Sequence, residues 1–237
     1  MTNKEFIRAI ADAAVKYYPT YKILPSLTIA QAVLESGWGK TGLAKDCNNY
    51  FGMKWTSSCG TDYKEYPTQE QDKNGKAYTI SAKFRKYSDT AAGIKGYYDF
   101  INYKRYSNLK GQTDYRESCQ LIKADGWATD IKYPGKLTSI IEQYSLWKYD
   151  LQAIYPQGPT GNITPDSNFL KIVWLQERLN TCLTGTKDFV PLVVDGDYGA
   201  KTRAAVLLYW KLLGWNPSNG WSAGINTKKA LTAGRKA

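Results

Sequence analysis

The chain contains no histidine. That absence excludes Ser-His and Cys-His nucleophile pairs, imidazole acid–base catalysis and His-ligated zinc hydrolysis. Any hydrolytic chemistry must therefore run on carboxylates, with Tyr or Lys in support. Cysteine is scarce as well: Cys47, Cys59, Cys119 and Cys182 show no C-x-x-C spacing, which argues against a zinc site. They read as free thiols in a reducing compartment, with a Cys47–Cys59 bridge left open. No apolar run approaches the roughly 18 residues of a membrane span, so no membrane insertion is expected. The first residues, Met1-Thr-Asn-Lys-Glu-Phe-Ile-Arg, carry neither the apolar core nor the small-residue cleavage site of a signal peptide. Nothing in the chain calls for a metal or another cofactor.

What is present is basic and aromatic. A net charge of +11 over 237 residues points to an anionic partner, whether nucleic acid, membrane surface or acidic polymer. The charge is spread along the chain without a block of one sign, which favours attraction to a polymer over a dedicated nucleic-acid arm. Eight Trp and 19 Tyr supply flat faces that stack on sugar rings as readily as on nucleobases.

Two regions flank the stretch 152–165, whose prolines, glycines and polar residues read as a linker. In the first region, 1–151, helices are predicted near Asn3–Tyr18, from Pro25 to Glu35, and near Thr90–Asn102, Tyr115–Ala124 and Gly135–Tyr149. Two extended runs, Asp62–Glu70 and Ala77–Tyr87, meet through Asn74-Gly75, a strong hairpin signal. Ile80, Ala82 and Phe84 alternate with polar neighbours as a half-buried strand should. The expected class is α+β, mainly helical with a small β-hairpin lobe. The second region, 166–237, predicts helices near Phe169–Thr181, Ala200–Leu213 and Thr227–Thr232, a small all-α three-helix domain.

The stretch Ile29-Ala-Gln-Ala-Val-Leu-Glu35-Ser-Gly-Trp-Gly39 carries the chemistry. Leu27, Ala30, Val33 and Leu34 follow a 3.6-residue period, and Gly37 and Gly39 end the helix. Glu35 then lies in the last turn, where the helix dipole disfavours a further negative charge and the neighbouring indole of Trp38 withdraws water. Both features suit a general acid. Glycoside hydrolysis needs a second carboxyl group across the scissile bond. The hairpin offers Asp62, Glu65, Glu70 and Asp72, which physical reading alone does not rank.

The string Leu24-Pro-Ser-Leu-Thr-Ile-Ala-Gln-Ala-Val-Leu-Glu-Ser-Gly-Trp-Gly39 resembles glycoside hydrolase family 73, the bacterial endo-β-N-acetylglucosaminidases. The likeness continues through Asn48-Asn-Tyr-Phe-Gly-Met-Lys54, Pro67-Thr-Gln-Glu70, Ala82–Tyr87 and Ala128-Thr-Asp-Ile-Lys-Tyr133. It implies a lysozyme-like fold that cleaves the GlcNAc-β-1,4-MurNAc bond of peptidoglycan. On this resemblance Glu35 is the general acid, Glu70 the second glutamate on the hairpin, and Tyr133 a residue that positions the sugar. Trp127 stands where the family usually has tyrosine, so ring stacking survives without the phenol. Trp38, Tyr50, Phe51 and Trp55 are candidates to line the sugar cleft and Asn49 to bind an acetamido group; core packing, above all for Phe51, and turn hydrogen bonds are the competing uses.

The second region resembles the small three-helix peptidoglycan-binding modules, through Phe169…Trp174-Leu-Gln-Glu-Arg-Leu-Asn180 and Val194-Asp-Gly-Asp-Tyr-Gly-Ala-Lys-Thr-Arg-Ala-Ala-Val206. Tyr198, Trp210, Trp215 and Trp221 are its candidate sugar or peptide contacts, with core burial the competing fate. The combination predicts a peptidoglycan hydrolase of the phage endolysin kind, made in the host cytoplasm, released to the wall and drawn to anionic wall polymers. A muramidase, a lytic transglycosylase, a bacterial autolysin and a non-catalytic wall binder are the rival readings. Nucleic acid is not expected as the partner.

Overall fold

The computed structural model describes the chain except residues 72–76, 188, 217 and 236–237, and except the side chains of 69–71 and 77. It divides into two compact units, Met1–Ala153 and Ile154–Ala237. The first unit is mainly helical with a two-stranded antiparallel sheet, the α+β class that the periodicities predict.

Helix α1 (Asn3–Tyr21) opens on a capping box in which Thr2 and Glu5 satisfy each other's backbone N–H groups, and it buries Phe6, Ile10, Ala14 and Tyr18. Helix α2 (Pro25–Ser36) starts with Pro25 in its first turn and ends on Gly37 in the left-handed conformation (φ 54°). Every residue from Pro25 to Val33 is buried, so α2 is a central rod and not an amphipathic surface helix. Its N-cap residue, Leu24, has no side chain able to cap. The cap comes from a distance: the Ser26 N–H donates to Asp150 Oδ1 at 2.8 Å.

A short helix follows that periodicity did not reveal, α3 (Gly42–Cys47), capped by Thr41 and closed by Asn48 in the left-handed region. Strands β1 (Asp62–Gln71) and β2 (Ala77–Lys86) pair antiparallel from Asp62↔Lys86 to Gln71↔Ala77. The Asn74-Gly75 turn lies outside the described residues. Burial along β2 is graded: Phe84 is buried at the base, while Ile80 is exposed. Segment 53–55 continues the sheet edge, with Trp55 N–H donating to the Lys83 carbonyl and Arg85 N–H to that of Met53.

Helices α4 (Thr90–Ile101) and α5 (Tyr115–Ala124) begin on Asp89 and Asp114, whose carboxylates accept from their first turns. A 3₁₀ helix, Lys104–Leu109, lies between them. The predicted helix 135–149 is in fact two, α6 (Tyr133–Tyr144) and α7 (Trp147–Ile154), broken where Ser145 turns left-handed (φ 52°). The break lets Leu146 bury completely and brings Asp150 to the start of α2.

The second unit holds α8 (Phe169–Leu183), α9 (Ala200–Leu212) and α10 (Ile225–Thr232). Much of the stretch read as a linker is built into it. Ile163 is fully buried and exchanges both backbone hydrogen bonds with Ala223, and the Pro159 carbonyl accepts from Lys228 Nζ at 2.7 Å. Proline and glycine set the shape of this segment without freeing it.

Asp150 is wholly buried and its Oδ2 has no hydrogen-bond partner among the described residues. Burial pushes its carboxyl up to about 7, against the opposing hydrogen bonds from Ser26. The folded state therefore holds a proton that the unfolded chain releases near pH 4. Its contribution to stability is complete below about pH 4 and is lost as pH rises through about 7, at no more than about 1.4 kcal/mol per pH unit. Asp150→Asn keeps the acceptor and removes the titration. In urea unfolding from pH 4 to 8, the variant should gain steadily on the wild type; parallel pH profiles for the two proteins would refute the assignment.

Candidate active site

The last turn of α2 presents Glu35, an exposed carboxylate at the end of a buried helix. Its Oε1 accepts two hydrogen bonds, from the Tyr133 hydroxyl at 2.6 Å and from Trp127 Nε1 at 3.0 Å. Among the described residues Oε2 makes none.

Each donor is placed by a local turn. Gly126, at φ 80°, reverses the chain after α5, and the Trp127 N–H closes back on the Ile122 carbonyl. The Trp127 ring then stands edge-on to Tyr97, Phe100 and Tyr106, with centroids 5.7 to 6.2 Å apart. Asp130 organises the next turn: its carboxylate accepts from the Lys132 N–H and pairs with Lys136 Nζ. The Tyr133 N–H donates to the Asp130 carbonyl, and Tyr133 opens α6.

Behind Tyr133 stands a relay that sequence reading missed. Gln31, fully buried in α2, donates from Nε2 to the Tyr133 oxygen at 3.2 Å and accepts at Oε1 from the Tyr97 hydroxyl at 2.7 Å. Because Tyr133 already accepts from Gln31, its own hydrogen is directed at Glu35. Burial, and then the charge and hydrogen bond of Glu35, push the Tyr133 phenol far above its ordinary range, so it stays a donor. The available signal was a lone glutamine inside an apolar helix, one turn before the glutamate.

The remaining predicted cleft residues have different positions. Trp38 is left-handed (φ 64°) and packs edge-on against Tyr144 and Phe6, and the indole that bonds Glu35 is that of Trp127. Asn49 is buried with its amide spent on the backbone, bonding Met53 through both side-chain atoms and the Arg85 carbonyl through Nδ2. Tyr50 is buried against Phe6, its hydroxyl 2.9 Å from Thr90 Oγ1. These contacts correct the sugar-binding expectation for Asn49 and Tyr50. Trp55 is half-buried, donates to the Thr61 carbonyl and lies 4.9 Å from the ring of Tyr63. On the hairpin, the Glu70 backbone pairs with Tyr78, while its side chain lies outside the described part of the structure, as does Asp72. Glu65 is exposed and accepts from Ser81.

In the second unit Tyr198 and Trp210 are core residues. The Tyr198 hydroxyl donates to the Gly220 carbonyl at 2.9 Å and Trp210 Nε1 to Thr227 Oγ1 at 2.9 Å, which corrects their assignment to a ligand surface. Trp215 is half-buried. Trp221 is 38% exposed, with the Arg203 guanidinium 5.2 Å from its ring centroid. Among the described residues no group of His, Cys, Asp and Glu is arranged to hold a metal.

Removing the Tyr133 hydroxyl leaves Gln31 Nε2 buried without its acceptor. Tyr133→Phe should therefore cost about 1–3 kcal/mol of stability, read by denaturant unfolding, whereas Trp127→Phe should cost less because Nε1 is bonded at an exposed group. Equal stability of Tyr133→Phe and wild type would mean that the relay carries no energy.

Residues 11–146 match the glucosaminidase family, described as mannosyl-glycoprotein endo-beta-N-acetylglucosaminidase. The exo-glucosaminidase LytG of Bacillus subtilis is 37% identical over 153 residues, covering 61% of this chain and 52% of that protein. The chain spans about half the length, or less, of the curated relatives it matches. Among solved structures, the catalytic domain of the Listeria monocytogenes autolysin Auto is 29% identical with a TM-score of 0.56, covering 62% of this chain and 87% of that one. A glycoside hydrolase domain of Salmonella typhimurium FlgJ is 30% identical with a TM-score of 0.51, covering 61% and 98%. The helical body with its small hairpin is the lysozyme-like fold of those domains. With more than half of its length matched, the chain belongs to the glucosaminidase family.

Proposed function

We propose that the first unit hydrolyses the glycan strands of bacterial peptidoglycan at the GlcNAc-β-1,4-MurNAc bond, with Glu35 as proton donor. The observation that carries this reading is the asymmetry of the Glu35 carboxyl. Oε1 is occupied as an acceptor by Tyr133 and Trp127, so the acid proton belongs on Oε2. In the reaction Oε2–H protonates the glycosidic oxygen, the C1–O bond breaks, and the sugar passes through an oxocarbenium-like centre to which water adds. Tyr133 and Trp127 fix the carboxyl plane while the proton leaves. Glu70 is the proposed second carboxylate, acting as base on the water or stabilising the cation while the substrate acetamido group attacks. The relatives named LytG, FlgJ and autolysin support the substrate class.

The second unit is proposed to hold the enzyme on the wall, with Trp221 beside Arg203 as its contact surface. The net charge of +11 supports attraction to anionic wall polymers.

Glu35→Gln preserves shape and removes the transferable proton. It should lower fragment release from purified walls at least about a hundredfold, with unfolding curves unchanged. Mass spectrometry of wild-type digests should show GlcNAc at the new reducing ends. Reducing MurNAc or anhydro-MurNAc ends would instead identify a muramidase or a lytic transglycosylase, and wall binding without fragments a pure binder. Trp221→Ala should weaken cosedimentation with insoluble walls by about three- to tenfold, the scale of one aromatic contact; unchanged binding would remove Trp221 from the surface.

A further inference from the structure

The second unit carries a cavity that neither the glycan reaction nor the Trp221 surface uses. It has a volume of about 560 Å³ and opens between the segment 157–161, helix α8 and helix α10. Trp174, 4% exposed, forms part of its inner wall, and Ile225, 62% exposed, part of its rim. Gly158 is left-handed (φ 83°), and a side chain there would meet the Trp174 ring at 3.2 Å. The backbone thus lies directly against the indole, which leaves an apolar floor.

Cations surround that floor. Lys228 and Lys229 of α10 line the cavity. On α8, Lys171, Trp174 and Arg178 recur at i, i+3 and i+7 and so share one face; the Arg178 guanidinium lies 5.8 Å from the Trp174 ring centroid. The Lys228 ammonium donates to the Pro159 carbonyl at 2.7 Å, a neutral acceptor that leaves its charge uncompensated. Among the described residues none of these four cations is ion-paired with a carboxylate. Burial, and then the charge of Lys171, lower the Lys228 ammonium below its ordinary range, as expected for like charges held close with no anion between them.

We propose that Lys171, Arg178, Lys228 and Lys229 bind the phosphodiester groups of a polyol-phosphate polymer, whose carbon chain lies over Trp174 and Ile225. The inference rests on the reading of this unit as the wall anchor and gives the anionic polymer a defined place on it. Four cations on two helices match a ligand with repeated charges, whereas the carboxylate end of a peptide would need only one. Three of the four are lysines, which meet phosphate as point charges and do not offer the planar fork suited to a carboxylate. Nucleic acid fits less well, because the indole of Trp174 is buried and presents no open face on which a base could stack.

The test uses the intact chain and soluble poly(glycerol phosphate), followed by isothermal titration at low ionic strength. Lys171→Gln/Lys229→Gln should weaken binding at least about tenfold, since two charge-assisted contacts are lost. Lys187→Gln/Lys211→Gln removes the same charge from exposed positions of this unit outside the cavity and should weaken binding less than about twofold. Equal losses in the two variants would reduce the effect to diffuse attraction by a basic protein and overturn the site. Failure of the wild type to bind the polymer overturns it as well, and tighter binding to a DNA duplex of equal charge overturns the ligand class. The probe contains no glycan, so none of these results depends on hydrolysis. Cosedimentation of the wild type with walls stripped of phosphate polymers reports separately on the anchor reading.

Discussion

The hydrogen bond from the Tyr133 hydroxyl to Glu35 Oε1, 2.6 Å long, is the point on which the first unit converges. Helix α2 is buried from Pro25 to Val33 and can expose a carboxylate only by breaking out of the core at its C-terminus. Gly37 permits the exit through its left-handed backbone. A carboxylate at such an end is free to rotate unless held, and the donors that hold it come from the turns at Gly126 and Asp130. The donor itself is held: Gln31 orients Tyr133, and Tyr97 orients Gln31. At the other end of α2, Asp150 supplies the cap that Leu24 cannot. Both ends of the rod are thus set by residues far away in sequence, which positions Glu35 within a rigid frame.

Aromatic residues build most of that frame. Phe51 stacks on Tyr97 with centroids 4.1 Å apart, and Tyr97 contacts Tyr98 and Trp127 edge-on. Buried tyrosines need a partner for each hydroxyl. Tyr97 finds Gln31, Tyr98 lies beside Thr28, and Tyr115 donates to Glu142. The second unit repeats the pattern with Tyr198 on Gly220, Trp210 on Thr227 and Tyr209 on Arg235. An aromatic-rich composition that suggests sugar stacking is therefore spent largely on polar-tipped core packing. Trp147 is an exception, its buried Nε1 without a hydrogen-bond partner among the described residues.

The balance of burial and charge also sets where the fold stores its tension. Asp150 keeps a carboxyl in a place where only the neutral acid is comfortable, because the N-terminus of α2 needs an acceptor there and no nearer residue provides one. Glu35 occupies the opposite end of the same helix, where two donors compensate for an unfavourable dipole. One helix thus uses a buried acid to begin and an exposed acid to end.

The sequence by itself determined the α+β class, the helices whose apolar residues keep a 3.6-residue period, the alternating strand β2 and the place of Glu35 at a glycine-terminated helix end. These are local properties, readable because period, caps and turn residues lie within a few positions of one another. The absence of histidine likewise narrowed hydrolysis to carboxylates before any geometry was known. Where local signals were weak, the reading failed: α3 is too short to show a period, and the stripe of Leu137, Ile141 and Trp147 runs through the break at Ser145 without revealing it. Only the tertiary structure decided that Trp127 supplies the indole bonded to Glu35, that Gln31 and Tyr97 stand behind Tyr133, and that Asn49, Tyr50, Tyr198 and Trp210 are held inside the protein. Most of those outcomes depend on partners well separated in sequence, and burial of a polar or aromatic group is settled by what folds over it as much as by its own neighbours in the chain.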